Sequence, residues 1–140
     1  MSIGEIRDKI IGFLYRRILK PIFFLQDPED VHDSMTAMGA FLGGNFITRG
    51  LTGLMFGYQN KMLEQNIAGI EFKNPSGLAA GFDKNARLTR ILPAVGFGFE
   101  EVGSITAKAY EGNKKPRLYR LPEQKALRVN YGLKNLGAQV

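Results

Sequence analysis

The chain has 140 residues, 44% of them hydrophobic, no cysteine and a single histidine, His32. Disulfides, thiolate nucleophiles and cysteine-based metal sites are therefore excluded, a histidine-rich metal site is impossible, and one imidazole argues against a Ser-His-Asp triad. The formal charge of +6 is uneven: residues 1–106 carry 11 basic and 11 acidic side chains, whereas residues 107–140 carry 8 and 2.

At the N-terminus, Ile3, Ile6, Ile10, Phe13, Leu14 and Ile18 recur at helical spacing, with Arg7, Lys9, Arg16, Arg17 and Lys20 mostly between them. That pattern predicts an amphipathic helix. Pro21 is expected to end or kink it, because proline has no N–H and disfavours helical geometry at Lys20. The apolar run 22–25 follows. Asp27-Pro28-Glu29-Asp30 is a helix start, with Asp27 as the cap and Pro28 in the first turn. Val31, Met35, Met38, Phe41 and Leu42 are expected to form the apolar face of this second helix, and Gly43-Gly44 to end it. Residues 1–20 carry five basic side chains against Glu5 and Asp8. A basic half, an aromatic hinge and two amphipathic helices suit a membrane interface, with a helical hairpin packed on its own domain as the commoner alternative. Glu5 and Asp8 argue against a mitochondrial transit peptide. No run of eighteen apolar residues is available to span a bilayer as a helix.

Residues 45–66 are rich in Gly, Met and Phe and read as a helix or an irregular linker. Residues 67–72 predict a short strand, 78–80 a first interior strand, 85–95 a helix weakened by Pro93 and ended by Gly96, and 99–105 a second strand. Strand, helix, strand is a βαβ unit, which builds a parallel sheet. In the basic tail, Pro116, Leu118, Tyr119, Leu121 and Pro122 interleave with the cations, as in a strand or hairpin with a solvated face. An anionic small molecule is the next reading of that charge, and nucleic acid the last. Gly96-Phe97-Gly98 lacks the third glycine of a dinucleotide fingerprint, and Gly112-Asn113-Lys114-Lys115 lacks P-loop spacing.

The most informative segment is 74–84, N-P-S-G-L-A-A-G-F-D-K. Gly77, Ala79, Ala80 and Gly81 present almost no side chain, so a large flat group could lie against the main chain, with Lys84 at its edge. The alternative is a glycine-rich turn between strand and helix. Ligands of parallel α/β folds sit at the C-terminal strand ends, where both Gly81–Lys84 and Ser104 fall.

The segments N-P-S-G-L-A-A-G-F-D-K-N (74–85), G-F-G-F-E-E-V-G-S-I-T (96–106), E-G-N-K-K-P-R-L-Y-R-L-P-E (111–123) and L-Q-D-P-E-D-V-H (25–32) resemble the quinone-linked, class 2 dihydroorotate dehydrogenases. The resemblance covers nearly the whole chain. It implies the N-terminal part of an α/β fold, a (β/α)8 TIM barrel, preceded by a small helical membrane-associating extension. Residues 1–66 would be that extension and 67–140 the start of the FMN-binding barrel. The implied activity is FMN-dependent oxidation of dihydroorotate to orotate in pyrimidine synthesis, with quinone as acceptor. The implied FMN contacts are Ala80, Gly81, Phe82, Asp83, Lys84 and Ser104. Substrate contacts would come from Lys84, Asn130, Tyr131, Gly132 and Leu133. Residues 1–42 would touch the membrane peripherally, at the cytoplasmic face of a bacterial inner membrane, and no nucleic acid is expected.

Two departures qualify the resemblance. Where the branch reads Asn-Arg-aromatic/Met-Gly-Phe-Asn-Asn, this chain reads Val129-Asn130-Tyr131-Gly132-Leu133-Lys134-Asn135. Without a gap, Val129 takes the first asparagine's place; with a one-residue deletion, Asn130 does, and an amide suits a pyrimidine edge. The second departure is length, since a (β/α)8 barrel takes about 250 residues. The family's catalytic serine is expected beyond Val140, so the chain reads as a fragment, inactive alone. A non-catalytic membrane- or partner-binding remnant is the alternative.

Overall fold

The structure is a computed structural model that describes residues 3–139; Met1, Ser2 and Val140 lie outside them. Helix α1 (Ile3–Leu14) continues through a π-type turn (Tyr15–Leu19) into α2 (Lys20–Phe24). Pro21 therefore does not end the helix. The Lys20 amide reaches back to the Tyr15 carbonyl, and the widened turn accommodates a proline that offers no N–H and crowds the preceding carbonyls. The Arg7 guanidinium donates to the carbonyls of Leu54 (2.9 Å) and Gly57 (3.4 Å), at the negative end of a later helix.

Asp27 caps α3 (Pro28–Gly43) as expected, accepting from the amides of Glu29 (2.8 Å) and Asp30 (3.3 Å). After Gly44, Asn45 caps α4 (Phe46–Phe56), so the first part of the segment read as a helix or an irregular linker is a helix. The buried side of α3 differs from the expected one. Met35, Met38 and Phe41 are exposed, Phe41 at 77%, while Glu29, Thr36 and Gly43 are buried. Close approach decides this: a Cβ on Gly39 would lie 2.6 Å from Leu88 Cδ2, so the smallest residues of α3 face the 88–91 turn.

The expected strand 67–72 is a hairpin. β1 (Gln65–Ile67) and β2 (Ile70–Phe72) pair antiparallel around Ala68-Gly69, both at positive φ (52° and 82°), the geometry of a tight two-residue turn. β3 (Gly77–Leu78) and β4 (Phe99–Glu100) form the expected parallel pair, with Gly77 opposite Phe99, but each is shorter than predicted. Between them the helix is only α5 (Leu92–Val95). The Asp83 carboxylate accepts from the amides of Asn85 (3.2 Å) and Leu88 (2.5 Å), holding 83–91 in turns where a helix was expected. Pro93 opens α5 rather than weakening its end, and Gly96 closes it in the left-handed region. Leu88, Ile91 and Leu92 form the small apolar core, joined by Leu42, Leu78 and Phe97.

β5 (Leu118–Leu121) and β6 (Ala126–Val129) pair as a hairpin, one of the two forms, strand or hairpin, read from the basic tail. The chain then returns alongside Tyr110, which bridges to Asn135. Among the described residues the strands form three two-stranded sheets, and no barrel closes.

A candidate ligand pocket at the parallel strand ends

Beyond β3 the chain passes through Ala79, Ala80 and Gly81; beyond β4 it passes through Gly103 and Ser104. The Gly103 amide donates to the Asp83 carbonyl (3.1 Å) and ties the two loops together. Between them and the loop after β6 lies a pocket of about 210 Å³, lined by Ala80, Gly81, Lys84, Gly103, Ser104, Gly132, Leu133 and Lys134. Gly81 has a φ of +98°, and a Cβ placed on it would meet nothing within 4 Å, so the main chain there is bare and faces open space. Four of the six expected cofactor residues and three of the five expected substrate residues are thereby brought together.

The others sit elsewhere. Phe82 lines a neighbouring cavity of about 240 Å³ beside His32, Asp33 and Thr36 of α3, and Lys84 and Lys134 line that cavity too. The Phe82 carbonyl accepts from His32 Nε2 at 2.8 Å, and the two rings meet edge-on at 4.9 Å. Asp83 is fully buried, its carboxylate committed to the Asn85 and Leu88 amides, so it shapes the loop from beneath. Tyr131 is buried below Lys84, whose Nζ rests 3.2 Å from the ring centre. Asn130 is not brought to the pocket. Its amide donates to the Arg117 carbonyl, and its side-chain oxygen accepts from Asn113 Nδ2 at 3.1 Å.

Several ionisable groups here are displaced from their ordinary behaviour. Burial, then the Lys134 ammonium, lowers Lys84 to about 8. Burial, with the carboxylates of Glu29 and Asp33, raises Tyr131, and its hydroxyl is enclosed without a hydrogen-bond partner. In β4, burial and the neighbouring Asp83 carboxylate push Glu100 up to about 7, and both Glu100 oxygens are enclosed.

Sequence reasoning missed the clasp that holds this site. Glu29, 2% exposed, accepts from Arg117 Nε (3.0 Å) and Nη2 (2.7 Å) and from Lys134 Nζ (3.2 Å), with Lys115 at 3.5 Å. The hydrogen bond from Arg117 lowers Glu29 to about 2 against the opposing effect of burial. Arg117 also donates to the carbonyls of Glu111 (2.6 Å) and Asn113 (2.7 Å), and its Cζ lies 4.9 Å from the Tyr131 ring centre. A signal was present: the basic tail has a natural partner in the acidic start of α3. Asn135, also missed, accepts from the Thr106 amide (3.2 Å) and donates to the Leu133 carbonyl (2.6 Å), fixing the loop that lines the pocket.

The pocket lining thus combines bare main chain, one serine, two lysines and no acid, which suits a flat, anionic or electron-rich ligand. Among the described residues no cluster of three His, Asp or Glu could hold a metal, and no helix is long and apolar enough to cross a membrane.

The dihydroorotate dehydrogenase family profile matches residues 62–140. The quinone-type dihydroorotate dehydrogenase of Helicobacter acinonychis is 43% identical over 121 residues, covering 86% of this chain and 34% of the relative. That of Gloeobacter violaceus is also 43% identical, over 123 residues, with 87% and 34% covered. Among solved structures, the ferulenol complex of the Eimeria tenella enzyme superposes with a TM-score of 0.67 at 38% identity, covering 81% of this chain and 28% of that one. The chain spans about a third of the length of the curated relatives it matches. Likeness to these enzymes implies a TIM-barrel fold, of which the described residues supply a partial α/β portion. Profile, relatives and solved structures concur: this chain belongs to the dihydroorotate dehydrogenase family.

Proposed function

We propose that the chain forms one wall of the flavin and pyrimidine site of a quinone-linked dihydroorotate dehydrogenase, which oxidises dihydroorotate to orotate. The observation that carries this reading is the convergence of Ala80, Gly81, Lys84 and Ser104, from two parallel strand ends, on one pocket. The residues fit the edge of an FMN ring: main chain bare at Gly81, a hydroxyl at Ser104, and no carboxylate in the lining. Bound FMN would supply the redox chemistry, taking hydride from the substrate and passing electrons to quinone. Lys84 would favour negative charge at the adjacent ligand edge, and Tyr131 beneath it would fix its reach. Gly132 and Leu133 would wall the substrate side. With the family's catalytic serine assigned outside these 140 residues, the chain alone is proposed to bind without turnover.

The outward apolar residues of α1 to α3, Phe13, Ile18, Ile22 and Phe41 among them, support a peripheral membrane contact through residues 1–42. The proposed location is the cytoplasmic face of a bacterial inner membrane, where quinone is drawn from the lipid. A second reading, a non-catalytic membrane- or partner-binding remnant, is favoured by one observation. The buried hydrophobic residues among those described are Leu88, Ile91, Leu92 and Tyr131, a small core for so many exposed apolar side chains.

Flavin fluorescence separates the two. Titrating FMN with the chain should give saturable quenching, weakened about tenfold by Lys84→Met, the scale of losing one charge-assisted hydrogen bond. Vesicle binding with no quenching would favour the remnant. Orotate formation by the chain alone would contradict the proposed lack of turnover.

A further inference from the structure

Two lysines, Lys84 and Lys134, line the pocket, and no acid does. Lys134 arrives from the loop after β6, where Asn135 pins the backbone. Its Nζ lies 3.2 Å from Glu29 Oε1 and 3.5 Å from Asp33 Oδ2, and 5.9 Å from the centre of the Tyr131 ring on which Lys84 rests. Glu29 does not depend on it, because Arg117 already donates to that carboxylate through two nitrogens. An ammonium has three donors. Two are accounted for by the α3 carboxylates, and the third is left for the pocket.

We propose that Lys134 is a specificity-determining residue of this pocket, a second cation that selects a flat ring bearing an ionised carboxylate over an uncharged ring of the same shape. This rests on the functional reading above and deepens it. Two cations facing one space repel each other. Burial and then Lys134 lower Lys84 to about 8, Arg117 adds to the effect, and Asp33 and Glu29 offset it; the Tyr131 ring is the neutral neighbour below. A carboxylate entering between the two ammonium groups relieves that repulsion as well as accepting their hydrogen bonds. An uncharged ring gains neither.

The test is equilibrium binding of orotate and of uracil, which lacks the carboxylate, to the full 140-residue chain. It compares wild type with Lys134→Met, Lys134→Asn and Lys134→Arg; the asparagine variant retains donors for Glu29 should the methionine variant fold poorly. Loss of Lys134 should weaken orotate about tenfold and uracil less than about twofold, with arginine restoring orotate binding. The Lys84 titration, followed by NMR of the ¹³C-dimethylated amine, should move above about 8 in the methionine and asparagine variants. Unchanged orotate affinity, equal weakening of both rings, or an unmoved Lys84 midpoint overturns the proposal. FMN quenching retained alongside any of these leaves the family reading standing. Loss of FMN affinity with orotate unaffected would assign the cation to the flavin phosphate and also overturn it. A wild-type chain that binds neither FMN nor orotate overturns both readings.

Discussion

In α1 to α4 the large apolar side chains point outward, Phe13, Phe41 and Leu54 among them, whereas around the pocket the most deeply buried side chains include Glu29, Asp83, Arg117 and Asn135. The helical arm is therefore held to the pocket region in large part by charge and hydrogen bonds, supplemented by the seam at Gly39 and Gly43. A polar clasp fixes orientation sharply, because a buried ion pair is favourable only when its geometry is satisfied. An apolar face is tolerant of orientation and free to meet something else. The two halves of the molecule accordingly should respond to opposite kinds of substitution.

Breaking the clasp should have the largest effect. Glu29→Ala leaves Arg117 buried and unpaired and should cost about 3–5 kcal/mol, read as a fall in the urea midpoint. Pairing Glu29→Leu with Arg117→Met should recover much of that loss; a double variant as unstable as Glu29→Ala would show that the ion pair is not the fastener. The clasp also has a pH signature. Glu29 is lowered from 4.5 to about 2, so its contribution is complete above about 4.5 and disappears as pH falls towards 2. Glu29→Gln should flatten that part of the acid-unfolding curve.

Glu100 should behave in the opposite sense and with a smaller effect. Its raised value of about 7 means that the folded state binds a proton the unfolded chain releases, so stability falls as pH climbs from about 4.5 to 7 and stays low above. Glu100→Gln should gain roughly 1–3 kcal/mol at pH 8 and almost nothing at pH 4. A stability profile with no change in slope near neutrality would place Glu100 in contact with water.

The smallest effect on folding belongs to the arm. Phe13→Glu and Phe41→Glu should alter stability by less than about 0.5 kcal/mol while reducing sedimentation with anionic vesicles. Loss of folding in either variant would mean that these faces are core.

Features fixed by near neighbours in the chain were legible: the Asp27 cap, the left-handed stop at Gly96, the 118–129 hairpin, and Lys84 with Ser104 at paired strand ends. The rest depended on competition or distance. Apolar spacing turned Met35 and Met38 inward, but Gly39 and Gly43 allowed a closer approach on another face. Leu88 and Ile91 read as helical along with Leu92, but only Leu92 lies in a helix: Asp83 takes the Leu88 amide and Ala86 stands at a positive φ of 54°. Glu29 and Arg117 are 88 residues apart, and each alone looks like a solvated charge. Lys134 stood in the quoted loop, but its role depends on α3 and the pocket meeting there.

The widened turn at Tyr15–Leu19 has a consequence for how the arm presents itself. An α-helix rotates about 100° per residue, so in an unbroken helix Ile18 and Ile22 would stand roughly 120° and 160° around the axis from Ile6. One extra residue within the turn winds them back by about that 100°, into phase with Ile6, Ile10 and Phe13. Two stripes that would have diverged become a single keel along one rod. Deleting Arg17 would remove that extra residue and let an ordinary α-helix keep the same stripe in phase, whereas inserting one residue after Leu19 would put the halves out of step.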